Sequence, residues 1–448
     1  MKRNRCRVAG VAFLIALGLL GSAPVETAWT SSESSAPVNQ VLEWNQVFID
    51  TLIATNTANS SSQRLGAIVH TAIFDAYNGI ERRYTPIFVH DTAPRGASRR
   101  AAVIAAAYTA LVGLLPSRQP ALEDSFAASL AALGDDCEDG SQWGESQRSC
   151  TRRIERGINW GIEVAQAVLA WRSTDGFSTS YPPFNGGTAV GQWRPTPPAF
   201  GAMSAQGLAF TAPFVLVSST QFEPEPPRGL SGDTYADDFN AVKALGRTTG
   251  STRTADQTAL AIFWEGNASV HWNQAANQIA RANHLSLSES NRLLAVLNIA
   301  MADTAFTTWS GKRFYGGVAN EVTWRPVTSI PLADTDGNPD TAPDPGWLPL
   351  INTPSHPEYP AGHPSLNGAA STVLLSYFRR YQTFTLTTIG QPNRTYTSIA
   401  KARSDGNNAR VWGGMHYPST VVISDRVGAT VARYVNRHGA RRLHPTRH

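Results

Sequence analysis

The segment RLGAIVHTAIFDAYNGIERRY, residues 64–84, is the clearest indicator of the fold. Its apolar residues recur at steps of three and four: Leu65, Ile68, Val69, Ala72, Ile73, Ala76, Tyr77 and Ile80. Because an α-helix turns once in about 3.6 residues, this spacing places the apolar side chains on one stripe. The segment therefore predicts a long helix that buries one face.

Segments on both sides of this helix predict further helices. In the first half they are the alanine-rich Ala101–Leu115 and the amphipathic Ile158–Trp171. The predicted helices of the second half are Thr254–Asn283 (one helix or two), Arg292–Trp309, Pro364–Tyr381 and Pro418–His438. Ser286 and Glu289 have capping-box spacing ahead of one of them. Most of the chain is therefore expected to be helical.

Two stretches interrupt the helical pattern. Ser173–Pro227 is dense in Pro and Gly without alternation, which predicts a long wrapped loop and not a sheet. Thr383–Thr397 is polar and is either a hairpin or coil. The predicted class is all-α, with one large domain over residues 41–448. Within it, residues 41–227 supply supporting helices and wall loops, and residues 228–448 form the bundle that carries the site.

The composition of the 448 residues suits a large core, with 42% hydrophobic and 16% charged residues. The net charge is +4, from 38 basic and 34 acidic residues, and the excess lies partly at the two ends. No basic stripe of the kind that nucleic-acid binding needs is present. A nucleic-acid partner is therefore not expected.

The N-terminus is typical of a secretory signal. Lys2–Arg7 is basic, and the apolar run Val8–Leu20 is shorter than the roughly 20 residues of a membrane span. We predict a signal peptide over residues 1–28 and a linker over residues 29–40; an uncleaved anchor is the alternative. The mature protein would then be secreted or periplasmic, with no stable membrane span. In that oxidising setting Cys137 and Cys150 are expected to form a local disulfide, with two free thiols as the alternative.

Three segments carry the residues that indicate chemistry. They are KRFYGGVANEVTWRP (312–326), HPEYPAGHPS (356–365) and ARVWGGMHYPSTVVISD (409–425). In the second, Gly362 and His363 directly precede a proline that favours a first helical turn. A helix N-terminus offers free amides and partial positive charge, and glycine lets an anion approach them. This segment predicts an anion site with His363 at its rim.

The other two segments add cationic groups to this site. His416 lies two residues before Pro418, which opens another helix, so a second helix N-terminus is expected beside it. Arg410 lies six residues before His416, and Arg325 precedes another proline. Two guanidinium groups, two imidazoles and two helix N-termini suit a tetrahedral oxyanion such as vanadate or phosphate.

These segments resemble the signature motifs of the vanadium-dependent haloperoxidase and type-2 phosphatidic acid phosphatase superfamily. That pattern is Lys and Arg-Pro, then Pro-Ser-Gly-His, then Ser-Arg, five residues and His. Residues 64–84, GQWRPTPP (191–198) and STRTADQTALAIFW (251–264) are similar to the bacterial vanadium haloperoxidase branch. The resemblance covers most of the chain after about residue 40 and implies helical bundles of that type.

The resemblance implies a role for each motif residue. It would make His416 the ligand of vanadium or the nucleophile toward phosphorus, and His363 the acid–base group. Arg325, Arg410 and the Gly362 amide would bind the oxyanion, and Lys312 would polarise a bound peroxide. The expected cofactor is vanadate and the expected partners are hydrogen peroxide and halide, with an organic acceptor left open. The alternatives are a secreted acid phosphatase that works through a phosphohistidine without a cofactor, and a degenerate, non-catalytic member.

The sequence departs from the superfamily pattern at four positions. Ala361 and Ala409 replace two serines, so two hydroxyl donors are missing. Lys312 lies thirteen residues before Arg325, where the pattern has seven. Thr420 stands where phosphatases carry the aspartate that orients the last histidine. Without a carboxylate orienter an imidazole is a poorer phosphoryl acceptor, which favours the haloperoxidase interpretation.

Other candidate groups have simpler interpretations. The oxygen-bearing side chains of Asp334, Asp336, Asn338 and Asp340 alternate, which suggests calcium, but the full EF-hand spacing is absent and a solvated turn is favoured. His356 lies near the predicted mouth of the site, where it would tune access or simply be a surface residue. His70 and His271 lie on helical stretches and are expected in the core.

Overall fold

The computed structural model describes residues 38–133 and 147–443, which are mostly helical. The α-helices of these residues are α1 Gln40–Ala54, α2 Asn59–Glu81, α3 Arg99–Leu114, α4 Gln119–Ala131, α5 Gln147–Ser173, α6 Asp233–Leu245, α7 Ala255–Phe263, α8 Ala268–Ala282, α9 Leu287–Tyr315, α10 Pro326–Ser329, α11 Gly362–Tyr377, α12 Ile399–Trp412 and α13 Pro418–His438. Two short strands, β1 Phe384–Leu386 and β2 Arg394–Tyr396, pair antiparallel. The predicted all-α class is confirmed, and residues 383–397 hold the hairpin.

Local capping explains where several helices begin. The Ser286 hydroxyl accepts a hydrogen bond from the Glu289 amide, and the Glu289 carboxylate accepts one from the Ser286 amide. This reciprocal pair starts α9, as the spacing predicted. Thr254 and Gln257 form the same pair at the start of α7. Because α7 ends at Phe263, the predicted segment 254–283 forms two helices.

The chain between α5 and α6 is irregular, apart from a short 3-10 turn at Gln206–Phe210, so the predicted wrapped loop is confirmed. A buried carboxylate holds this loop in place. Asp303 on α9 accepts hydrogen bonds from the three consecutive amides of residues 214–216, at 2.7 to 3.0 Å. These bonds satisfy the amides that a strand partner would otherwise pair. The loop is therefore fixed against the core without forming a sheet.

Close backbone contact joins α11 to α13. A Cβ atom on Gly428 would lie 1.8 Å from the Ser365 carbonyl oxygen, and one on Gly368 would lie 2.2 Å from the Asp425 carbonyl oxygen. The two glycines therefore allow the helix backbones to touch. The Ala361 amide also donates to the Ser424 hydroxyl at 2.7 Å. As a result, the first turn of α11 lies against α13, close to the residues that precede α13.

The acidic loop after α10 uses its oxygens internally. Asp336 accepts hydrogen bonds from the Asn338 amide and the Thr341 hydroxyl, and Asn338 donates to the Leu230 carbonyl. Both Asp336 and Asn338 are buried, so the prediction of a solvated turn was wrong in that respect. Among the described residues no cluster of three or more His, Cys, Asp or Glu side chains is placed to hold a metal ion.

Several predictions concern residues outside the described ranges. The signal peptide, most of the linker and Cys137 lie there, so export and the disulfide partner stay predictions. Cys150 in α5 is buried and disulfide-bonded. Within residues 38–133 and 147–443 no single helix is long and apolar enough to cross a membrane. Among these residues, only the pair formed by Arg99–Leu114 and Pro116–Ala131 has sufficient length and apolar composition. The two parts of this pair are bent by 119° relative to each other.

The two helical histidines lie in the core, as predicted. His70 is 1% exposed and its Nε2 lies 2.9 Å from the Asn45 side-chain oxygen. His271 is equally buried, and its Nε2 lies 2.7 Å from the Thr388 hydroxyl. Burial lowers the pKa of His70 from 6.5 to about 3 and that of His271 to about 4. Both rings are therefore neutral in the folded protein near neutral pH.

Replacing His70 by glutamine, which keeps a donor for Asn45, should reduce the acid sensitivity of folding. Because the pKa of His70 is depressed in the folded state, its stabilising effect is present above pH 6.5 and is lost as pH falls toward about 3. The loss between pH 6.5 and pH 5 is about 2 kcal/mol for this one group. Urea unfolding at pH 7 and pH 5 should show a smaller difference for His70→Gln than for the parent. Equal differences would contradict this assignment.

Candidate functional site

Two of the three predicted segments line one polar pocket with a volume of about 210 Å³, and the third adjoins it through Arg325, which contacts His416. Gly362 and His363 reach it from the first turn of α11, Arg410 from the last turn of α12, and His416 from the turn before α13. Other lining residues include Asn59, Ser60, Ser204, Glu265, Trp309, His356 and Met415. Four of the six residues predicted for the site therefore line one pocket.

The His416 ring is held from both sides. Its Nδ1 lies 2.9 Å from the Glu358 carboxylate, and its Nε2 lies 3.0 Å from an Arg325 guanidinium nitrogen. A carboxylate accepts and a guanidinium donates, so Nδ1 carries the proton and Nε2 presents its lone pair. Burial, followed by the charge of Arg325, lowers the pKa of His416 well below its usual value. His416 is therefore a neutral imidazole with a defined tautomer.

Glu358 corrects the sequence analysis, which found no carboxylate to orient His416. It is completely buried and also accepts hydrogen bonds from the Tyr417 amide at 3.1 Å and the Thr420 hydroxyl at 3.0 Å. Thr420 thus supports a carboxylate that comes from the segment before α11. Burial raises the pKa of Glu358 to about 7, against the opposing charge of Arg325. The one sequence feature that could have indicated this carboxylate is the acidic residue between the two prolines of HPEYP.

Arg325 joins the loop before α11 to the turn before α13. Its Nε donates to the His356 carbonyl at 2.9 Å, and one terminal nitrogen lies 2.8 Å from His356 Nδ1. The other terminal nitrogen donates to the Met415 carbonyl at 2.7 Å and contacts His416. His356 also packs against Trp309, with ring centroids 5.4 Å apart. The surface interpretation of His356 was wrong, because this residue lines the pocket and binds Arg325.

Arg410 brings a second positive charge to the pocket. It is 3% exposed, and its terminal nitrogens donate to the Trp264 carbonyl at 3.2 Å and contact the Met415 sulfur at 3.1 Å. Its Nε is buried and has no hydrogen-bond partner. Burial lowers the pKa of Arg410 to about 10 and that of Arg325 to about 9, so both stay charged at neutral pH. An anion in the pocket would supply the missing acceptor and balance buried charge.

The two predicted helix N-termini differ in the structure. Gly362 is the first residue of α11 and lines the pocket, and its amide has no intrahelical acceptor because of this position. At α13 the Tyr417 amide donates to Glu358, and the Ser419 amide donates to the Asp238 carboxylate at 3.1 Å. The expectation of a second free N-terminus was therefore wrong, because carboxylates already occupy it.

Lys312 reaches the site loop despite its unusual spacing. It lies in the last turn of α9, is completely buried, and its Nζ donates to the Pro357 carbonyl at 2.6 Å and the Glu358 carbonyl at 3.3 Å. Burial, followed by the charge of Arg325, lowers the pKa of Lys312 well below its usual value. Lys312 supports the loop from behind and is not among the residues that line the pocket.

His363 faces the pocket and has one ring nitrogen engaged. Its Nε2 lies 3.2 Å from the Gly266 carbonyl, to which it donates. Burial and then the charge of Arg410 lower the pKa of His363 well below its usual value. Ala361 and Ala409, where two hydroxyls were missing, are completely buried. The hydroxyls near the pocket come instead from Ser60 and Ser204, which the motif could not indicate.

Comparison with known proteins places this site in context. Residues 292–445, which contain all six predicted site residues, match the family described as the VCPO second helical-bundle domain. A bacterial vanadium-dependent iodoperoxidase has a similar structure, with a TM-score of 0.73 and 22% identity over 91% of this chain and 98% of that one. No curated protein matches the sequence significantly.

A bacterial vanadium-dependent chloroperoxidase is also similar, in apo and holo forms. The TM-score is 0.62 and the identity 17% for both, over 85% of this chain and 93% or 92% of theirs. The chain thus shares the fold of these bacterial vanadium haloperoxidases, and its residues 292–445 match the domain family named above. The superfamily resemblance found in the sequence is confirmed.

Replacing Glu358 by glutamine should weaken oxyanion binding while the protein stays folded. The glutamine side chain keeps the shape but removes the charge that fixes the His416 tautomer, and loss of such a partner typically costs about 10- to 100-fold in affinity. Equilibrium dialysis with orthovanadate measures this change. Glu155→Gln, at an exposed position on α5, is the matched control and should bind like the parent. Unchanged affinity in Glu358→Gln would contradict the assigned role.

Proposed function

We propose that this protein is a vanadate-dependent haloperoxidase that oxidises halide with hydrogen peroxide. The observation that carries the proposal is the pair of buried guanidinium groups around a neutral imidazole, with the Arg410 Nε unpartnered. The described carboxylate nearest to His416, Glu358, is already engaged by that ring. A tetrahedral oxyanion fits both the charge and the missing acceptor.

In this proposal His416 Nε2 is the ligand of vanadium, since it is the ring nitrogen with the lone pair and His416 lines the pocket. Arg325 would then donate to an oxyanion oxygen instead of to His416. Arg410 and the Gly362 amide would bind further oxygens. Bound vanadate supplies Lewis-acid activation of peroxide. Lys312 would hold the loop that carries Glu358, through its bonds to the Pro357 and Glu358 carbonyls, and would not contact the peroxide that the sequence analysis expected it to polarise.

His363 is the proposed acid–base group. Burial keeps its imidazole neutral, so the ring can accept a proton from a bound peroxide and later return it to a leaving oxygen. Its bond to the Gly266 carbonyl holds the ring in place and leaves Nδ1 as the basic nitrogen. Export by the predicted signal peptide is part of the same proposal.

Glu358 favours a second candidate, a phosphatase that shares the same pocket. A carboxylate that accepts from Nδ1 makes His416 Nε2 a better nucleophile. The sequence analysis had found no such carboxylate. In that reaction Nε2 would bond phosphorus as the ester P–O bond breaks, and His363, after taking a proton from solvent at Nδ1, would pass it to the leaving oxygen. Water would then release phosphate from the phosphohistidine. A non-catalytic member is less well supported, because the pocket is open and not filled by side chains.

Halide oxidation by the purified mature chain tests the primary proposal. With orthovanadate and peroxide, the protein should oxidise iodide and bromide, and His416→Ala should reduce this activity by at least about 100-fold, since it removes the proposed ligand. The measurement is triiodide absorbance, with protein lacking added vanadate as a second control. Activity that does not depend on vanadate or on His416 would overturn the proposal.

A phosphate-ester assay on the same preparation separates the second candidate. Hydrolysis of p-nitrophenyl phosphate that is lost in His416→Ala and inhibited by vanadate, without halide oxidation, would favour the phosphatase. Denaturation at alkaline pH should then trap a phosphorylated protein whose label is lost on later treatment with acid, as expected for phosphohistidine. Neither activity, in a protein that still binds vanadate, would support a non-catalytic member.

A further inference from the structure

Three pairs of consecutive arginines lie at one end of the fold, which we call the arginine end. They are Arg82 and Arg83 after α2, Arg379 and Arg380 after α11, and Arg441 and Arg442 after α13. All six residues are exposed. Within the part of the chain that the structure describes, none of the six forms an ion pair with a carboxylate. Their charges therefore face solvent.

The Arg292 side chain brings the three pairs together. Its Nε donates to the Ala440 carbonyl at 2.9 Å. Its guanidinium lies over the rings of Tyr84 and Tyr377, at 5.7 and 5.4 Å from their centroids. Each of these three contacts is one or two residues from one of the arginine pairs. The sequence shows no basic stripe because the cluster is built from three distant segments.

A cavity of about 320 Å³ lies in the middle of this cluster. Arg292 and Arg442 line it, together with Tyr84, Tyr377 and one acidic residue, Glu289. The Glu289 carboxylate accepts hydrogen bonds from the Ser286 amide and hydroxyl. These bonds, and then the charges of Arg83 and Arg442, lower the pKa of Glu289. Positive charge therefore exceeds negative charge at the cavity, and exposed guanidinium groups suit phosphate oxygens.

The arginine end lies opposite the polar pocket. Helix α9 carries Arg292 near its start and Lys312 in its last turn, and a helix of about 20 residues is about 30 Å long. Helix α11 likewise starts at Gly362 in the pocket and ends at Tyr377. Asn39, which caps α1, donates to the Leu285 carbonyl at 3.2 Å, so the chain enters the fold at the arginine end. A surface that binds this end leaves the pocket open to solution.

Apolar side chains accompany two of the arginine pairs. Leu443 follows Arg442 and is 45% exposed, and Tyr381 follows Arg380 and is 73% exposed. Arginine beside an exposed aliphatic or aromatic side chain is typical of protein surfaces that lie at a membrane interface. A sulfated polysaccharide or a nucleic acid would use the arginines and leave Leu443 in water. The combination therefore favours a lipid surface over another polyanion.

We propose that the arginine end binds the surface of a bilayer that contains anionic phospholipids. A head-group phosphate would lie beside Arg442 in the cavity, while Leu443 and Tyr381 enter the interface. The protein would then stand on the membrane with its pocket directed away from it. This assignment does not depend on the reaction that the pocket catalyses.

Co-sedimentation with lipid vesicles tests the proposal. The chain without residues 1–28 is used, so that the apolar run 8–20 cannot itself insert. It should bind vesicles made of equal parts of phosphatidylglycerol and phosphatidylcholine, and not vesicles of phosphatidylcholine alone. Binding should weaken as salt is raised, because the arginines are exposed. Equal binding to both kinds of vesicle would overturn the proposal.

Paired substitutions locate the binding surface. Replacing Arg379 and Arg380 by glutamine should weaken vesicle binding by roughly 30-fold, since each arginine at a membrane surface contributes about a factor of five. Replacing Arg441 and Arg442 should have the same effect. The matched control replaces Arg228 and Arg426, two exposed arginines outside the arginine end, and should bind like the parent. An equal loss in this control, which removes the same net charge, would contradict the assigned surface.

A further variant separates lipid from other polyanions. Leu443→Ser removes an apolar contact and should weaken vesicle binding by roughly fivefold. It should leave binding to dextran sulfate unchanged, since all six arginines remain. A parent protein that binds dextran sulfate but no vesicles would overturn the membrane assignment in favour of an anionic polysaccharide. No readout uses halide oxidation, so failure of the proposed function and failure of this inference are distinguishable.

Discussion

The buried Arg325 guanidinium is the interaction on which the site depends. It binds the backbone or ring of His356, Met415 and His416, and so joins two loops that are distant in the sequence. Glu358 makes the reverse connection, from the loop before α11 to the first turn of α13. Removing a group that satisfies such buried polar partners typically destabilises a protein by about 1–3 kcal/mol, because the partners are left without a hydrogen bond. The loops therefore hold one geometry before any anion arrives.

The helix packing beneath the site serves this constraint. Gly368 and Gly428 let α11 and α13 touch through their backbones, which brings the first turn of α11 beside the turn that carries His416. Side chains of ordinary size at these positions would separate the helices. Arg325 could then no longer reach both loops, since its bonds to the His356 and Met415 carbonyls are only 2.9 and 2.7 Å long. The hydrogen bonds of Arg325 therefore depend on the close helix packing at Gly368 and Gly428, although these residues lie in different segments.

Sequence reasoning succeeded where a residue's role follows from its immediate neighbours. Gly362 and His363 stand beside a helix start, and capping at Ser286 is a local pattern, so both were predictable. Glu358 was missed and His356 was misjudged, because their partners, His416 and Arg325, come from distant segments that only the fold brings near. Helix α12 was not predicted, since its sequence mixes polar and charged residues without a clear apolar stripe. The free N-terminus expected at α13 failed for the same reason, because Asp238 caps it from α6.

The polar pocket alone does not distinguish peroxide chemistry from phosphoryl transfer, because both need an oxyanion held by cations beside a neutral imidazole. The two reactions differ in the group that must approach from outside, but not in its charge. A phosphate ester is negatively charged, and so are the halide and the vanadate of the other reaction, so the exposed Glu265 carboxylate that lines the pocket opposes the approach of all three. Charge around the pocket therefore acts on both reactions in the same direction. What separates them is the role of His416 Nε2, which would be a lasting ligand in halide oxidation and a nucleophile later released by water in phosphate-ester hydrolysis.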